Sequence, residues 1–348
     1  MSQLFNEMKS QLKFLIIGLG SMGKRRIRCL KRLGYSEITG FDPREDRCKE
    51  VNQNYGVETE SKWDKAKKIT SNTWIISTPP NLHMEYAFQA LESKKHFFTE
   101  ANVSDNKMSS LIDALEKSDI VGVPSCTMRY YEGPKKIKEL VKNGSIGKPL
   151  LFVYHWGQYL PTWHVYESYK DFYVSKRETG ACREIVPFEL EWLVDLFGNP
   201  KTISCFKDKL SDLDADIDDI YQLQIRFENG MMGNLIVEVF SQPAVNFIRI
   251  AGTEGSLEFD QHRNKLRLFK TEDKIWSEIE LDPGKAEDGY LYADEPYVYE
   301  MTDFIGEILG GKNYPYSFKD DLKILNLLQK SEESDQMKTH INTQKDLQ

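Results

Sequence analysis

The stretch FLIIGLGSMG, residues 14–23, is a short apolar run followed at once by glycines spaced G-x-G-x-x-G. The apolar run predicts a buried strand, and residues 26–33 after it predict a helix. In such a strand–turn–helix, Gly18 permits the tight turn, Gly20 lets the backbone approach a pyrophosphate, and Gly23 lets the helix pack on the strand. Phosphates then lie at the helix N-terminus, where N–H groups and the helix dipole favour an anion. The stretch therefore predicts a dinucleotide site.

An acidic residue follows at the distance that such a site requires. Residues 37–41 predict a second strand that ends at Asp42, and 42 − 23 = 19 residues separate Asp42 from Gly23. Its carboxylate would accept hydrogen bonds from ribose hydroxyls and repel a 2′-phosphate, so NAD is favoured over NADP. Arg44 leaves an alternative open, because a guanidinium there would neutralise a 2′-phosphate; we favour a solvated turn residue. Strand, helix and acid together favour NAD binding over glycines that serve only a structural turn.

Composition limits the class of protein. With 348 residues, 40% of them hydrophobic, the chain is too long for one ordinary domain, and we expect two cores. A net charge of −8 disfavours nucleic acid as a partner. The apolar run of residues 14–17, like every other in the chain, is far shorter than the roughly 20 residues of a membrane span, and residues 1–11 lack the apolar core of a secretion signal. The five cysteines are scattered without a C-x-x-C pair. We therefore expect a soluble cytoplasmic protein with reduced thiols and no membrane association.

The pattern of apolar runs predicts two domains and a tail. Residues 12–125 alternate short strands with helical stretches, which is typical of a doubly wound parallel sheet with helices on both faces. Further strand-like runs predict a large, mostly antiparallel open sheet: 150–155, 202–206, 221–227, 233–240, 247–250 and 265–269. The expected fold class is an α/β Rossmann domain over residues 1–127 and an α+β domain over 128–330. A basic cluster in the first helix, Lys24, Arg25, Arg26 and Arg28, is expected mainly on its exposed face. Residues 331–348 are expected to form a polar, loosely ordered tail.

Residues 76–102, ISTPPNLHMEYAFQALESKKHFFTEAN, make the chain recognisable. They resemble the fourth and fifth strands of the glucose-fructose oxidoreductase/inositol dehydrogenase (Gfo/Idh/MocA) family, whose usual form is T-P-x-x-H, a helix, G-K-H-V and E-K-P. Four further segments resemble the family's crossover, open sheet and C-terminal helix: 129–155, 225–240, 248–260 and 300–334. The resemblance implies an NAD-dependent oxidoreductase that covers its open sheet with another subunit, giving a homodimer or homotetramer.

The resemblance also implies which residues contact the cofactor. They are the residues that match the family's glycine-rich turn, its acid and its T-P and E-K-P motifs: Gly18, Gly20, Ser21, Met22, Gly23, Asp42, Arg44, Thr78, Pro79, Asn81, His83 and Glu100. Two departures affect the chemistry. E-K-P becomes Glu100-Ala101-Asn102, so the family lysine is absent. The stretch that matches the family's D-x-x-x-H has Glu184 at the acid and Phe188 at the histidine, with Glu184 ahead of a helix that is expected to begin at Pro187. Since Ala101 and Phe188 cannot move protons, the chemistry has either been rebuilt or lost.

Replacement groups are expected in residues 157–189, which follow the first strand of the second domain. Aromatic residues cluster there among charged ones, as suits a sugar site, although a packed loop is the alternative. His164 and Glu184 are the catalytic candidates: either takes the hydroxyl proton, or Glu184 orients His164, while a purely structural role for His164 remains open. A metal site formed by His164, Glu167 and Glu184 is disfavoured. The expected substrate contacts are Ala101, Arg129, Tyr130, Tyr159, Trp163, Lys176, Arg183 and Phe188.

Two functions remain after this reasoning. The first is an NAD-dependent dehydrogenase that moves a hydride between nicotinamide and a hydroxyl carbon of a sugar, nucleotide-linked or otherwise activated. The second is a catalytically silent NAD-binding regulator or sugar sensor. A lesser alternative is redox-assisted cleavage of a glycoside with tightly held NAD.

Overall fold

A computed structural model describes residues 11–163, 167–287 and 292–337. The chain divides into two compact units, Met1–Glu132 with Pro283–Lys323, and Gly133–Asp282 with Ile324–Gln348. The described residues contain nine α-helices: α1 (Ser21–Arg32), α2 (Glu45–Tyr55), α3 (Trp63–Ala66), α4 (His83–Glu92), α5 (Met108–Leu115), α6 (Glu132–Lys142), α7 (Cys182–Phe197), α8 (Glu295–Ile308) and α9 (Phe318–Gln336). None of these helices is long and apolar enough to span a membrane.

The first unit is built on a six-stranded parallel sheet. Its strands are β1 (Phe14–Ile17), β2 (Ile38–Phe41), β3 (Glu58–Glu60), β4 (Thr73–Ile76), β5 (His96–Thr99) and β6 (Gly122–Pro124). They lie in the order β3-β2-β1-β4-β5-β6, and β1 and β4 are buried along their whole length. The strand order reverses between β1 and β4, which is where doubly wound sheets bind ligands at their carboxyl edge. The predicted Rossmann fold is confirmed.

The basic cluster of α1, Lys24, Arg25, Arg26 and Arg28, lies inside the unit, so the expectation that it forms an exposed face is wrong. All four are buried and paired with carboxylates: Lys24 with Glu50 at 2.7 Å, Arg25 with Asp294 at 3.0 Å, Arg28 with Asp294 at 2.7 Å, and Arg26 with Glu100 at 2.7 Å and Glu300 at 2.8 Å. A buried cation without such a partner would cost several kcal/mol. These pairs explain why residues 283–323, which the sequence placed in the second domain, belong to the first unit.

The second unit is built on an eight-stranded sheet. Its strands are β7 (Pro149–Gly157), β8 (Pro200–Asp208), β9 (Ile220–Phe227), β10 (Met232–Glu238), β11 (Val245–Gly252), β12 (Gly255–Asp260), β13 (Lys265–Lys270) and β14 (Ile275–Glu280). They lie in the order β14-β13-β12-β11-β7-β10-β9-β8, and of these neighbours only β7 and β10 run parallel. The predicted antiparallel sheet is confirmed. β14 was not among the predicted strands because its short apolar pattern is interrupted by charges.

One face of this sheet is buried and the other is open. Along β7, Phe152 and Tyr154 are buried, whereas Leu151 and Val153 between them are 38% and 41% exposed. Met232, which pairs with Leu151 on the neighbouring strand, is 49% exposed. The alternation follows from the two-residue period of a strand and leaves an apolar surface uncovered.

Helix α9 extends past the boundary expected for the C-terminal tail. It continues to Gln336, because Leu325 and Leu328 are buried and Ser331, also buried, donates its hydroxyl to the Leu328 carbonyl at 2.6 Å. The first residues of the expected tail are therefore helical, while residues 338–348 lie outside the described part of the chain.

Candidate functional site

The turn after β1 has the geometry of a diphosphate cradle. Gly18 has a φ of +92°, and a Cβ there would lie 2.5 Å from the Ser77 carbonyl oxygen. A Cβ on Gly23 would lie 1.9 Å from the Gly18 carbonyl oxygen, so both positions require glycine. At Gly20 the nearest atom to a Cβ is Arg47 Nη1 at 3.7 Å, which leaves its backbone accessible. No acidic side chain lies in the first turn of α1, and no side chain caps it. The turn therefore suits an anion.

Asp42 is fixed at the end of β2, where the ribose is expected. It is 3% exposed, and its two oxygens accept hydrogen bonds from the backbone N–H groups of Leu19 at 2.8 Å and Arg44 at 2.9 Å. The Arg44 side chain pairs with exposed Asp46 at 2.6 Å. Arg47 was not predicted, but its guanidinium lies 3.7 Å from the Asp42 carboxylate and close to Gly20. A basic residue near the start of α2, five positions after Asp42, is the sequence feature from which Arg47 could have been predicted.

The turn after β4 presents an unpartnered polar atom. Thr78 Oγ1 is buried and has no hydrogen-bond partner among the described residues. The Thr78 backbone N–H lies against Gly18, since a Cβ on that glycine would approach the nitrogen to 3.0 Å. Pro79 and Asn81, two of the expected cofactor contacts, are exposed on the same turn. A buried hydroxyl beside a glycine cradle fits a bound dinucleotide, because such a group is normally satisfied.

His83 and Glu100 form hydrogen bonds with this turn, at Thr78 and Ser77. His83 is 1% exposed, and its ring nitrogens Nδ1 and Nε2 lie 2.9 Å from Asn102 Oδ1 and 2.9 Å from the Thr78 carbonyl oxygen. Glu100 accepts two hydrogen bonds from Arg26, at 2.8 and 2.7 Å, and one from the Ser77 hydroxyl at 2.9 Å. These hydrogen bonds fix the side chains of both residues, and their expected contacts with the cofactor stay predictions.

In the second unit, Glu184 lies in the first turn of α7. The helix begins at Cys182, after Ala181 with a φ of +49°, so the expectation that it starts at Pro187 is wrong; Pro187 lies within it. The Tyr173 hydroxyl donates to Glu184 Oε1 at 2.8 Å. Desolvation raises the pKa of Glu184 to about 7, although the hydrogen bond from Tyr173 opposes the rise. Glu184 is therefore poised to exchange a proton near neutral pH.

The other expected substrate residues of this unit have mixed environments. Phe188 lies one turn after Glu184 on the same face of α7 and is half-buried, as is Tyr159. Lys176 is exposed. The Arg183 guanidinium pairs with Glu332 at 2.8 Å and donates to the Glu178 carbonyl at 2.7 Å. The indole N–H of Trp163 donates to the Gln158 carbonyl at 3.3 Å. His164 lies outside the described residues, and its catalytic role stays a prediction.

Three of the expected substrate contacts, Ala101, Arg129 and Tyr130, lie in the first unit. Ala101 is half-buried. Arg129 donates to the Pro315 carbonyl at 2.9 Å and lies 4.8 Å from the centre of the Tyr316 ring. The Tyr130 hydroxyl donates to buried Asp303 at 3.0 Å, and burial raises the pKa of Tyr130. Arg129 and Tyr130 therefore both have partners within the protein.

Another acid of α7, Glu189, is buried and was not predicted from the sequence. Glu189 accepts hydrogen bonds from the Tyr154 hydroxyl at 2.9 Å and the Trp192 indole at 2.7 Å, and burial raises its pKa to about 7. Its partners lie on β7 and on α7 itself, so its environment differs from that of Glu184. Within the described residues, no cluster of three His, Cys, Asp or Glu side chains could hold a metal ion.

Sequence models of known families match both units. A model described as an oxidoreductase family with an NAD-binding Rossmann fold matches residues 12–123, and a model of the GFO/IDH/MocA C-terminal domain matches residues 135–258. The chain belongs to the Gfo/Idh/MocA family. The predicted family, its oxidoreductase class and NAD as its cofactor are thereby confirmed.

Individual proteins show the same relationship. The chain is 31% identical to myo-inositol 2-dehydrogenase of Thermotoga maritima over 140 residues, 38% of this chain and 42% of that enzyme. It is 25% identical to levoglucosan dehydrogenase of Pseudarthrobacter phenanthrenivorans over 229 residues, 57% of this chain and 58% of that enzyme. The alignments thus span about half of these two relatives. An oxidoreductase from Agrobacterium radiobacter, solved with NAD+, L-tartaric acid and magnesium, shares the fold: the TM-score is 0.82 at 16% identity, covering 94% of this chain and 96% of that one.

Proposed function

We propose that this protein is an NAD-dependent dehydrogenase that oxidises a secondary hydroxyl of a sugar or cyclic polyol. The observation that carries the proposal is the Glu184–Tyr173 pair. A carboxyl group with a pKa of about 7, at the position of the family's acid, supplies the proton exchange that the lost lysine and histidine no longer provide.

The proposed chemistry follows from the atoms of this pair. NAD, when bound, supplies the hydride acceptor. As the hydride leaves the substrate carbon, the hydroxyl proton must pass to a base, and we assign it to Glu184 Oε2 because Oε1 is engaged by Tyr173. The Tyr173 hydroxyl keeps the carboxylate oriented and stabilises its charge before the proton arrives. His164 remains an alternative base that Glu184 would orient.

An uncharged substrate is favoured over a nucleotide-linked one. Of the three cations among the expected substrate contacts, two already have partners: Arg129 bonds the Pro315 carbonyl, and Arg183 pairs with Glu332. The third, Lys176, is exposed. The names of the two relatives, acting on myo-inositol and levoglucosan, support the same preference. A nucleotide-linked sugar stays the competing prediction.

The experiment is a substrate panel followed by variants. Purified protein with NAD is offered inositols, anhydrosugars, hexoses and nucleotide sugars, and NADH formation is recorded. Glu184→Gln is expected to lower kcat at least about a hundredfold while NAD affinity changes only a few-fold. Glu189→Gln, which removes a buried acid of the same helix, is the control and keeps turnover. Normal turnover in both Glu184→Gln and His164→Ala would place the base elsewhere.

A second function has one observation in its favour. Ala101 and Phe188 are inert at the two positions where the family carries its proton-transferring groups. A sugar sensor would bind a sugar in the presence of NAD, detected by calorimetry, yet form no NADH with any compound of the panel. That result would replace the dehydrogenase proposal.

We also propose that the protein forms a homodimer or homotetramer through the open face of the β7–β14 sheet. The exposed apolar side chains of Leu151, Val153 and Met232 support this surface. A cytoplasmic location is proposed on the five cysteines, all buried and none in a disulfide.

A further inference from the structure

A buried amide joins an imidazole to a carboxyl group beneath the Thr78 turn. Asn102 Oδ1 lies 2.9 Å from His83 Nδ1, and Asn102 Nδ2 donates to Asp321 Oδ2 at 2.7 Å. Asp321 lies in the first turn of α9 and is 5% exposed, and Asn102 is 3% exposed. Asn102 stands where the family motif has proline, so this connection is a property of this chain.

The hydrogen-bond partners fix the number of protons in this group. His83 Nε2 faces the Thr78 carbonyl, which can only accept, so Nε2 carries a proton. If Nδ1 also carries one, it donates to Asn102 Oδ1, and the amide donates to ionised Asp321. If the amide is flipped, so that its oxygen and nitrogen exchange places, Asn102 Nδ2 donates to His83 Nδ1, and protonated Asp321 donates to Asn102 Oδ1. Both arrangements contain the same protons and satisfy every bond, because one proton has moved from His83 to Asp321.

Removal of that proton leaves two acceptors facing each other in either arrangement. With neutral His83 and ionised Asp321, the conflict falls either between Nε2 and the Thr78 carbonyl or between Asn102 Oδ1 and the carboxylate. A buried acceptor without a donor is costly, so one of these contacts must open. The group is therefore complete only while it holds the proton.

We propose that His83, Asn102 and Asp321 share one proton, and that this proton holds the Thr78 turn in its cofactor-binding position. The inference rests on NAD binding by this family and is independent of the proposed role of Glu184. His83 acts through the Thr78 carbonyl, and the backbone of that turn packs against Gly18. His83, Asn102 and Asp321 are thus positioning residues for the cofactor.

The surroundings set the pH at which the proton is lost. Burial raises the pKa of Asp321 to about 7; hydrogen bonds from Asn102 and the Tyr316 hydroxyl oppose the rise, and neighbouring Asp320 adds to it. Burial lowers the pKa of His83, against its two hydrogen bonds and the negative charge of Glu100. Asn102 Nδ2 also lies 3.4 Å from the Thr99 hydroxyl, which is uncharged. Loss of the proton is therefore expected around pH 7, with weaker NAD binding on the alkaline side.

The direct test is NMR on the full chain without NAD. The ring ¹⁵N shifts of His83, assigned with His83→Gln, and the carboxyl ¹³C shift of Asp321 are followed from pH 6 to 9. The proposal expects both to change with one common midpoint. Independent midpoints for the two groups, or no change in either group, would overturn the proposal.

The second test measures NAD affinity by calorimetry at pH 6.5 and 8.5, where NAD itself does not titrate. Wild-type affinity is expected to fall at least about five-fold at the higher pH. The amide that Asp321→Asn introduces can donate to Asn102 Oδ1 without a titrating proton. This variant should therefore bind NAD at both pH values as tightly as the wild type does at pH 6.5. Asp320→Asn, which removes the adjacent acid, is the matched control and should retain the pH dependence of NAD affinity. Unchanged pH dependence in Asp321→Asn would contradict the shared proton.

Discussion

Replacing Glu184 by glutamine should stabilise the protein in a pH-dependent way while it removes activity. The folded state raises the pKa of this carboxyl group from 4.5 to about 7, a difference of 7 − 4.5 = 2.5. At about 1.36 kcal/mol per pKa unit, ionised Glu184 would cost the folded state up to about 3 kcal/mol. Because the residue is only half-buried, solvent reduces this, and we expect about 1–2 kcal/mol.

The sign follows from proton binding. Between pH 4.5 and 7 the folded state keeps the proton that the unfolded chain releases, so wild-type stability falls as pH rises through this window. Glutamine carries no charge, and its amide oxygen can still accept from Tyr173. The variant should thus match the wild type near pH 4.5 and exceed it above pH 7.

Urea unfolding at pH 5 and pH 8, monitored by circular dichroism, measures this difference. The stabilisation by Glu184→Gln should be small at pH 5 and reach its full value at pH 8. Glu189→Gln removes an acid whose pKa is also raised to about 7, so it should show the same pH signature without loss of turnover. A stability difference for Glu184→Gln that is equal at both pH values would refute the assigned pKa and its cause.

Three further predictions concern the cofactor turn and the open sheet. Asp42→Asn should narrow the preference for NAD over NADP in calorimetry, because the repelling charge is removed. One oxygen remains to accept from the N–H group of Leu19 or of Arg44, and the acceptor for the other is lost. An unchanged preference would contradict the role of Asp42. Arg47→Ala should weaken NAD binding several-fold, because its guanidinium is the cation beside Gly20; equal affinity would place it outside the site. Val153→Glu should dissociate the oligomer, and a wild-type mass of 40 kDa by light scattering at micromolar concentration would exclude self-association through this face.

The sequence predicts those features that depend on neighbouring residues. The turn from β1 to α1 is such a feature, since the glycine spacing and the apolar run lie within ten residues. Burial of the α1 cations depends instead on distant residues, because Arg25 and Arg28 pair with Asp294, more than 260 positions away in the chain. Local periodicity assigns such residues to a solvated face, and only the tertiary structure shows their carboxylate partners.

The candidate site shows the same division. Glu184 was found because it occupies a motif position, and its partner Tyr173 is only 11 residues away. The supporting role of His83 could not be found, because it depends on a contact between Asn102 and Asp321 across 219 residues. The start of α7 was misplaced because a proline usually marks the first turn of a helix, whereas here it lies inside.

The two proton-binding groups together predict the pH profile of the reaction. Glu184 must be ionised to accept the hydroxyl proton, so the rate should rise through pH 7, where this carboxyl titrates. The His83–Asn102–Asp321 group must hold its proton for the Thr78 turn to bind NAD, so NAD affinity should fall on the alkaline side. We therefore expect kcat/KM for NAD to be bell-shaped, while kcat at saturating NAD keeps only the acid limb. Asp321→Asn should abolish the alkaline limb and leave the acid limb in place; a variant that retains both limbs would show that the alkaline limb has another origin.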